Sequence, residues 1–238
     1  MFSIAKKVIL IMIFALLTAM YAGAETINTD IVFEEKSKED AERFVSSVNA
    51  YRFDFEPELF CFNHFAVNKV GNFAIGKDDS KIKTICVYNC DGTFLYGINF
   101  EYSGSYRLKW DDYNLVIYFA RSDVLVSYNR FAQVQCVADI IDSKENNVAI
   151  NNEFSVKEHN VKNEIFKADG YNFLGGNYTK VIKTNHLGDA NVIYDASGKP
   201  NMMAILTTIV ILAIPITLIC FIVALITFEK KKRKKGDT

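Results

Sequence analysis

Near the end of the chain, Met203 to Phe228 gives 26 residues without a formal charge, mostly Ile, Leu, Val, Ala and Phe. A bilayer core about 30 Å thick is crossed by about 20 helical residues, so the run is long enough to span with some tilt. A core helix of a soluble protein would carry a polar face at helical period, and this run carries none. The block Glu229-Lys230-Lys231-Lys232-Arg233-Lys234-Lys235 follows at once. A Lys/Arg excess of that kind marks the cytoplasmic flank. The expectation is a transmembrane helix over 202–228, a basic cytoplasmic tail over 229–238, and everything upstream on the other side of the membrane.

The opposite end agrees with that orientation. Lys6 and Lys7 form a positive start, Val8 to Leu17 an apolar stretch, and Ala22-Gly23-Ala24 a small-residue cleavage site. This is the layout of a secretory signal over 1–24. Its rival is a retained anchor, because Val8 to Tyr21 is only slightly short of a span. The body between, residues 25–201, is long enough for one domain. It carries 19 Lys and Arg against 26 Asp and Glu, a net of −7. That acidity argues against nucleic acid or anionic lipid as its ligand. The basic tail, by contrast, sits where it meets the bilayer headgroups.

Within the body the hydrophobic period first reads helical and then switches to two. Ser37 is a cap, Glu39 and Asp40 suit the positive end of a helix dipole, and Ala41, Phe44, Val45 and Val48 form one stripe. A helix is predicted over about 38–50. From residue 60 onward the pattern is of strands, with Asp91-Gly92 as a hairpin signal and Ser105 to Trp110 alternating cleanly. Asp139 to Glu158 is polar and reads as a long loop or weak strands. Closing strands are expected over about 160–195.

The strand region repeats. Asn63-His64-Phe65, Asn72-Phe73-Ala74-Ile75 and Val87-Tyr88-Asn89 are echoed about 41 residues on by Ser105-Tyr106-Arg107, Asn114-Leu115-Val116-Ile117 and Ser127-Tyr128-Asn129. A weaker third echo runs from Ile182 to Asn185, with Gly188 in the place of Gly92. A period near 40 residues with about four strands per unit is that of a β-propeller blade. The segment Ile85-Cys86-Val87-Tyr88-Asn89-Cys90-Asp91-Gly92-Thr93-Phe94 resembles the hairpin of the NHL-type propeller repeat, and the resemblance covers about residues 60–135. The Pro and Gly usual after that hairpin are missing here. Two or three units are too few for a ring of four or more blades. The resemblance therefore implies an open or wrapped sheet, or a ring completed by several chains. The predicted fold is mainly β: an antiparallel meander of blade-like hairpin repeats, open or wrapped and not a closed ring. One N-terminal helix and one C-terminal transmembrane helix complete it.

No nucleophile elbow, HExxH, P-loop or dinucleotide fingerprint appears. No catalytic, metal or cofactor residue is singled out, and no enzyme activity or cofactor is expected. Cys61, Cys86, Cys90 and Cys136 permit two disulfides or four plain thiols. Tyr96, Tyr102, Tyr106, Tyr113, Tyr118 and Tyr128 are candidates for an interaction surface, or else rim residues of a sheet. In the apolar run, Ala213, Thr217, Cys220, Ala224 and Thr227 fall along one helix face and allow close approach of a second helix, in a homodimer or with a protein partner. The function expected is a surface-displayed binding or structural module. The alternatives are a small-ligand sensor coupled through helix pairing and an external enzyme acting on carbohydrate.

Overall fold

The computed structural model describes residues 27–59, 61–78, 81–171 and 177–197. The expected signal (1–24), span (202–228) and tail (229–238) lie outside these residues. So does the small-residue face of Ala213, Thr217, Cys220, Ala224 and Thr227. Among the described residues no helix is long and apolar enough to cross a membrane.

The protein is mainly β: the described residues form antiparallel strands in three sheets and two helices. The middle sheet is a meander of β3 (His64–Val67), β4 (Phe73–Lys77), β5 (Ile82–Tyr88) and β6 (Phe94–Glu101), to which β2 (Tyr51–Phe53) adds beside β6. The second sheet repeats the plan. It is a meander of β7 (Tyr106–Asp111), β8 (Asn114–Phe119), β9 (Val124–Tyr128) and β10 (Val134–Ile140), with β1 (Phe33–Glu35) added beside β10. The third sheet is β11 (Glu158–Val161), β12 (Glu164–Asp169), β13 (Lys180–Thr184) and β14 (Ala190–Asp195).

The hairpin repeats thus do not run on into one wrapped sheet, and side-chain alternation gives the reason. In β5, Ile85 and Val87 enter the core shared with the second sheet, while Cys86 and Tyr88 enter the core shared with the third. In β8, Leu115, Ile117 and Phe119 face the middle sheet, while Val116 and Tyr118 face outward. That outer face is covered by Ile27, Ile31 and by Ile150 and Phe154 of a helix. Strands apolar on both faces must be covered on both, which forces stacking in the order third, middle, second. Each fully buried Phe or Ile contributes about 1.5–3 kcal/mol.

The N-terminal segment fastens the middle and second sheets together. β1 adds to one and β2 to the other, and α1 (Lys38–Val48) crosses between them. Ser37 caps α1 by accepting from the Asp40 N–H, and Asn49 ends it in the left-handed conformation at φ 47°. The stripe of α1 lies on the shared core, with the Phe44 ring edge-on to Phe119 at 5.3 Å.

Residues 144–154, expected as loop or weak strand, form α2 (Lys144–Phe154), capped by Ser143 accepting from the Asn146 N–H. Its buried positions are Asn146, Ile150 and Phe154, spaced by four. Asn146 is satisfied inside the protein: it accepts from Val32 N–H at 2.8 Å and donates to the carbonyls of Val32 (2.7 Å) and Ile141 (2.6 Å). Glu153 fixes the chain start, accepting from the Thr29 hydroxyl (2.8 Å), the Asp30 N–H (2.8 Å) and the Lys109 ammonium.

Candidate functional site: a groove framed by repeated turns

Four hairpin turns are built alike. In each, an Asn side-chain oxygen accepts the backbone N–H groups two and four residues ahead. Asn68 binds Val70 (3.1 Å) and Asn72 (2.9 Å), and Asn89 binds Asp91 (3.0 Å) and Thr93 (2.8 Å). Asn129 binds Phe131 (2.9 Å) and Gln133 (3.0 Å), and Asn185 binds Leu187 and Asp189 (both 2.9 Å). The fourth residue of each turn has positive φ: Gly71 (94°), Gly92 (84°), Ala132 (59°) and Gly188 (91°). Its N–H returns to the Asn carbonyl in every case. Asn supplies the internal acceptor and Gly the left-handed backbone, so the frame holds itself together.

The second and third residues of each turn are left to vary: Lys69-Val70, Cys90-Asp91, Arg130-Phe131 and His186-Leu187. Two of these turns border a groove of about 440 Å³ between the middle and second sheets. Asn68 and Asn72 line one side, Arg130 and Phe131 another, with Tyr96, Trp110 and Tyr113 between them. Tyr113 is 59% exposed and Phe131 55%. Each exposed ring carries a cation: Lys69 stands 4.8 Å above Tyr113 and Arg130 4.7 Å above Phe131. Deeper in, Arg52 lies 4.7 Å over Tyr96 and donates to the Arg130 carbonyl. Burial pushes the Tyr96 hydroxyl up to about 12, against a smaller opposing effect of Arg52. The Trp110 indole N–H donates to the Ala66 carbonyl at 3.3 Å, which fixes its ring across the two sheets. No carboxylate lines the groove. Its chemistry is aromatic area at low entropic cost, with the Arg130 guanidinium at the rim.

The six tyrosines singled out in the sequence go to separate places. Tyr96 and Tyr113 line the groove. Tyr106 and Tyr128 are wholly buried in the core between the middle and second sheets. Tyr106 donates from there to the Lys77 carbonyl at 3.2 Å. Tyr118 faces the other side of the second sheet and donates to Asp123 at 2.7 Å. Tyr102 is half-buried against Phe119 and accepts the Arg121 N–H at 2.9 Å. Arg52, Trp110, Arg130 and Phe131 line the groove as well, without being among the residues the sequence singles out. The signal that could have found the last two is the Asn129 turn, which places them at a hairpin tip.

Cys61, Cys86, Cys90 and Cys136 are free thiols. Cys86 and Cys136 lie in different cores, and Cys61 accepts from the Asn177 amide at 2.8 Å. Among the described residues no group of three or more His, Cys, Asp or Glu is placed to hold a metal ion. No family model, curated protein or solved structure matches this chain.

Proposed function

We propose that this protein is a membrane-anchored binding module whose β body takes up a protein partner at the groove. The single observation that carries this reading is the set of four identical turn frames bearing four different tip pairs, two of which enclose exposed rings and cations. A rigid scaffold with variable loop tips is how many folds present a recognition surface, and Tyr, Trp and Arg are the residue types that dominate interface energies. Arg130 at the tip, with no carboxylate in the lining, favours an acidic partner segment, whereas Arg52 is already paired with Asp54 at 2.6 Å. The propeller-blade likeness of the repeats fits the three four-stranded meanders. The anchored topology rests on the charge-free run at 203–228, its basic flank and the signal-like start.

The test is capture of the tagged full chain from detergent-solubilised membranes. Tyr113→Ala with Phe131→Ala is expected to remove the co-purifying protein while leaving the melting temperature within a few degrees of the parent. Undiminished co-purification in the folded double variant would rule out the groove as the docking site.

A further inference from the structure

At the opposite ends of β3 and β7 from the groove lies a second cleft, of about 320 Å³. It forms where the first strands of the three meanders begin, each contributing its lead-in: Asn63-His64, Ser105-Arg107 and Ser155-Lys157. Arg107 and Lys157 line it and no carboxylate does, on a body whose net charge is −7. Arg107 is held by neutral acceptors, donating from one nitrogen to Asn151 (2.8 Å) and to Ser155 Oγ (3.2 Å), so its charge stays uncompensated. Lys157 stands 5.6 Å over the Tyr178 ring. Among the described residues no carboxylate pairs with either cation. Asp78, the carboxylate that acts on the neighbouring His64, is itself ion-paired with Lys83. His64 lies with its ring 4.3 Å from Tyr106, and its buried Nε2 has no hydrogen-bond partner.

We propose that this cleft binds the phosphate group of an anionic ligand, with Arg107 and Lys157 supplying the counter-charge and Ser105 and Ser155 further donors. Two cations from separate elements match a group that carries close to two negative charges. A planar guanidinium already oriented by other bonds offers its remaining N–H groups in a fixed fork.

The topology adds where such a group would come from. Lys157 accepts from the Ala168 N–H at 3.0 Å, Ala168 pairs with Val181, and Val181 pairs with Tyr194. The start of β11 and the end of β14 therefore lie at one end of the third sheet, so the chain leaves from the cleft's end of that sheet. Only residues 198–202 separate the described chain from the apolar run. Five extended residues reach at most about 18 Å. With 203–228 in the bilayer, the cleft sits close to the headgroups. A phosphate on a lipid headgroup and one on a soluble molecule share the same chemistry, and only the lipid source rests on the anchored reading.

The test uses the full chain in uncharged maltoside micelles, titrated calorimetrically with inorganic phosphate, glycerol 3-phosphate and phosphatidic acid added to the micelles. Saturable binding of at least one of these is expected, weakened about tenfold or more by Arg107→Gln and by Lys157→Gln, as for loss of a charge-assisted bond. Lys157 is exposed, so its variant keeps the test valid if Arg107→Gln disturbs α2. Response to phosphatidic acid alone assigns a lipid headgroup, and response to the soluble probes assigns a free ligand. The proposal is overturned if no phosphate probe saturates, if both variants bind like the parent, or if succinate binds as tightly as phosphate. Extraction of the chain from membranes by alkaline carbonate would sink the anchored reading separately and leave the soluble arms standing.

Discussion

A methyl group built on Gly92 would stand 1.9 Å from the carbonyl oxygen of Ile193. Gly92 is the positive-φ residue of a turn in the middle sheet, and Ile193 belongs to β14 of the third. The turn is therefore seated on the backbone of the last strand, with Lys183 donating to the Cys90 carbonyl beside it at 3.4 Å.

Gly188 has nearly the same φ, 91° against 84°, but nothing within 4 Å of its added methyl. Gly188→Ala is expected to cost about 1 kcal/mol, from backbone conformation alone. Gly92→Ala is expected to cost several times more, because the neighbour is backbone and the two sheets must separate. Urea midpoints of the two variants compare them directly, and equal losses would refute the close seating.

Ala132 occupies the position that glycine holds in the other three turns, at φ 59°. Ala132→Gly is expected to stabilise the protein by about 0.5–1 kcal/mol, the relief of the left-handed backbone less the added freedom of the unfolded chain. A rise in melting temperature checks it; a fall would mean that the alanine methyl contributes more through packing than its φ costs.

Acid should loosen the fold in two stages. Burial holds both His64 and His159 down to about 4; at His64 it outweighs the nearby Asp78, which acts the other way, and Arg107 adds to it. Each histidine ordinarily titrates at 6.5, so the unfolded chain binds these protons first. Stability is complete above pH 6.5 and falls progressively toward pH 4, by roughly 3 kcal/mol per histidine at most. Below that range Glu153 adds to the loss. Burial alone would raise its carboxyl, but the bonds from Lys109, Thr29 and Asp30 outweigh burial and lower it. Its contribution is present above the usual carboxylate range and disappears as pH falls through the lowered one. His159→Gln should shrink the difference between urea midpoints at pH 7 and pH 4.5. An unchanged difference would remove His159 from the account.

The buried thiols of Cys86 and Cys136 should be inert in the native state. Burial pushes Cys86 up to about 12 and, together with Glu35, Cys136 up to about 11. Only thiolates react, so modification of both by a thiol reagent at neutral pH should wait on unfolding. Half-buried Cys90 should react first, and reductant should leave the melting temperature unchanged. A bridge between any two of Cys61, Cys86, Cys90 and Cys136, mapped by peptide analysis without reductant, would contradict four free thiols.

Much of the β architecture was legible because its signal is local. Alternation in Ser105 to Trp110 marks β7, and the unbroken apolar run of β8 reflects burial on both faces. The second helix was illegible because its buried face opens with Asn146, whose hydrogen bonds stand where apolar contact was sought, while Val148 points outward, 54% exposed. The tyrosines misled for a related reason. Composition counts them alike, whereas strand parity sends Tyr106 and Tyr128 inward and Tyr118 to the other face. The groove was partly visible through the echo of Asn89 at Asn129, whose turn borders it. Which tips would border the same opening depends on how two sheets stack, and that lies in no single window of sequence.

Apart from α1, the middle sheet is made of residues translated before the two sheets that cover its faces. A nascent chain released through Glu101 presents Ile85 and Val87 on one side, with only α1 to cover them, and Phe73 and Tyr88 on the other, until some forty and then ninety further residues emerge. Until then the earliest meander is an adhesive slab that must be kept extended or shielded by other means. Chains stopped at residue 140 should accordingly bind a hydrophobic dye strongly where the whole protein does not.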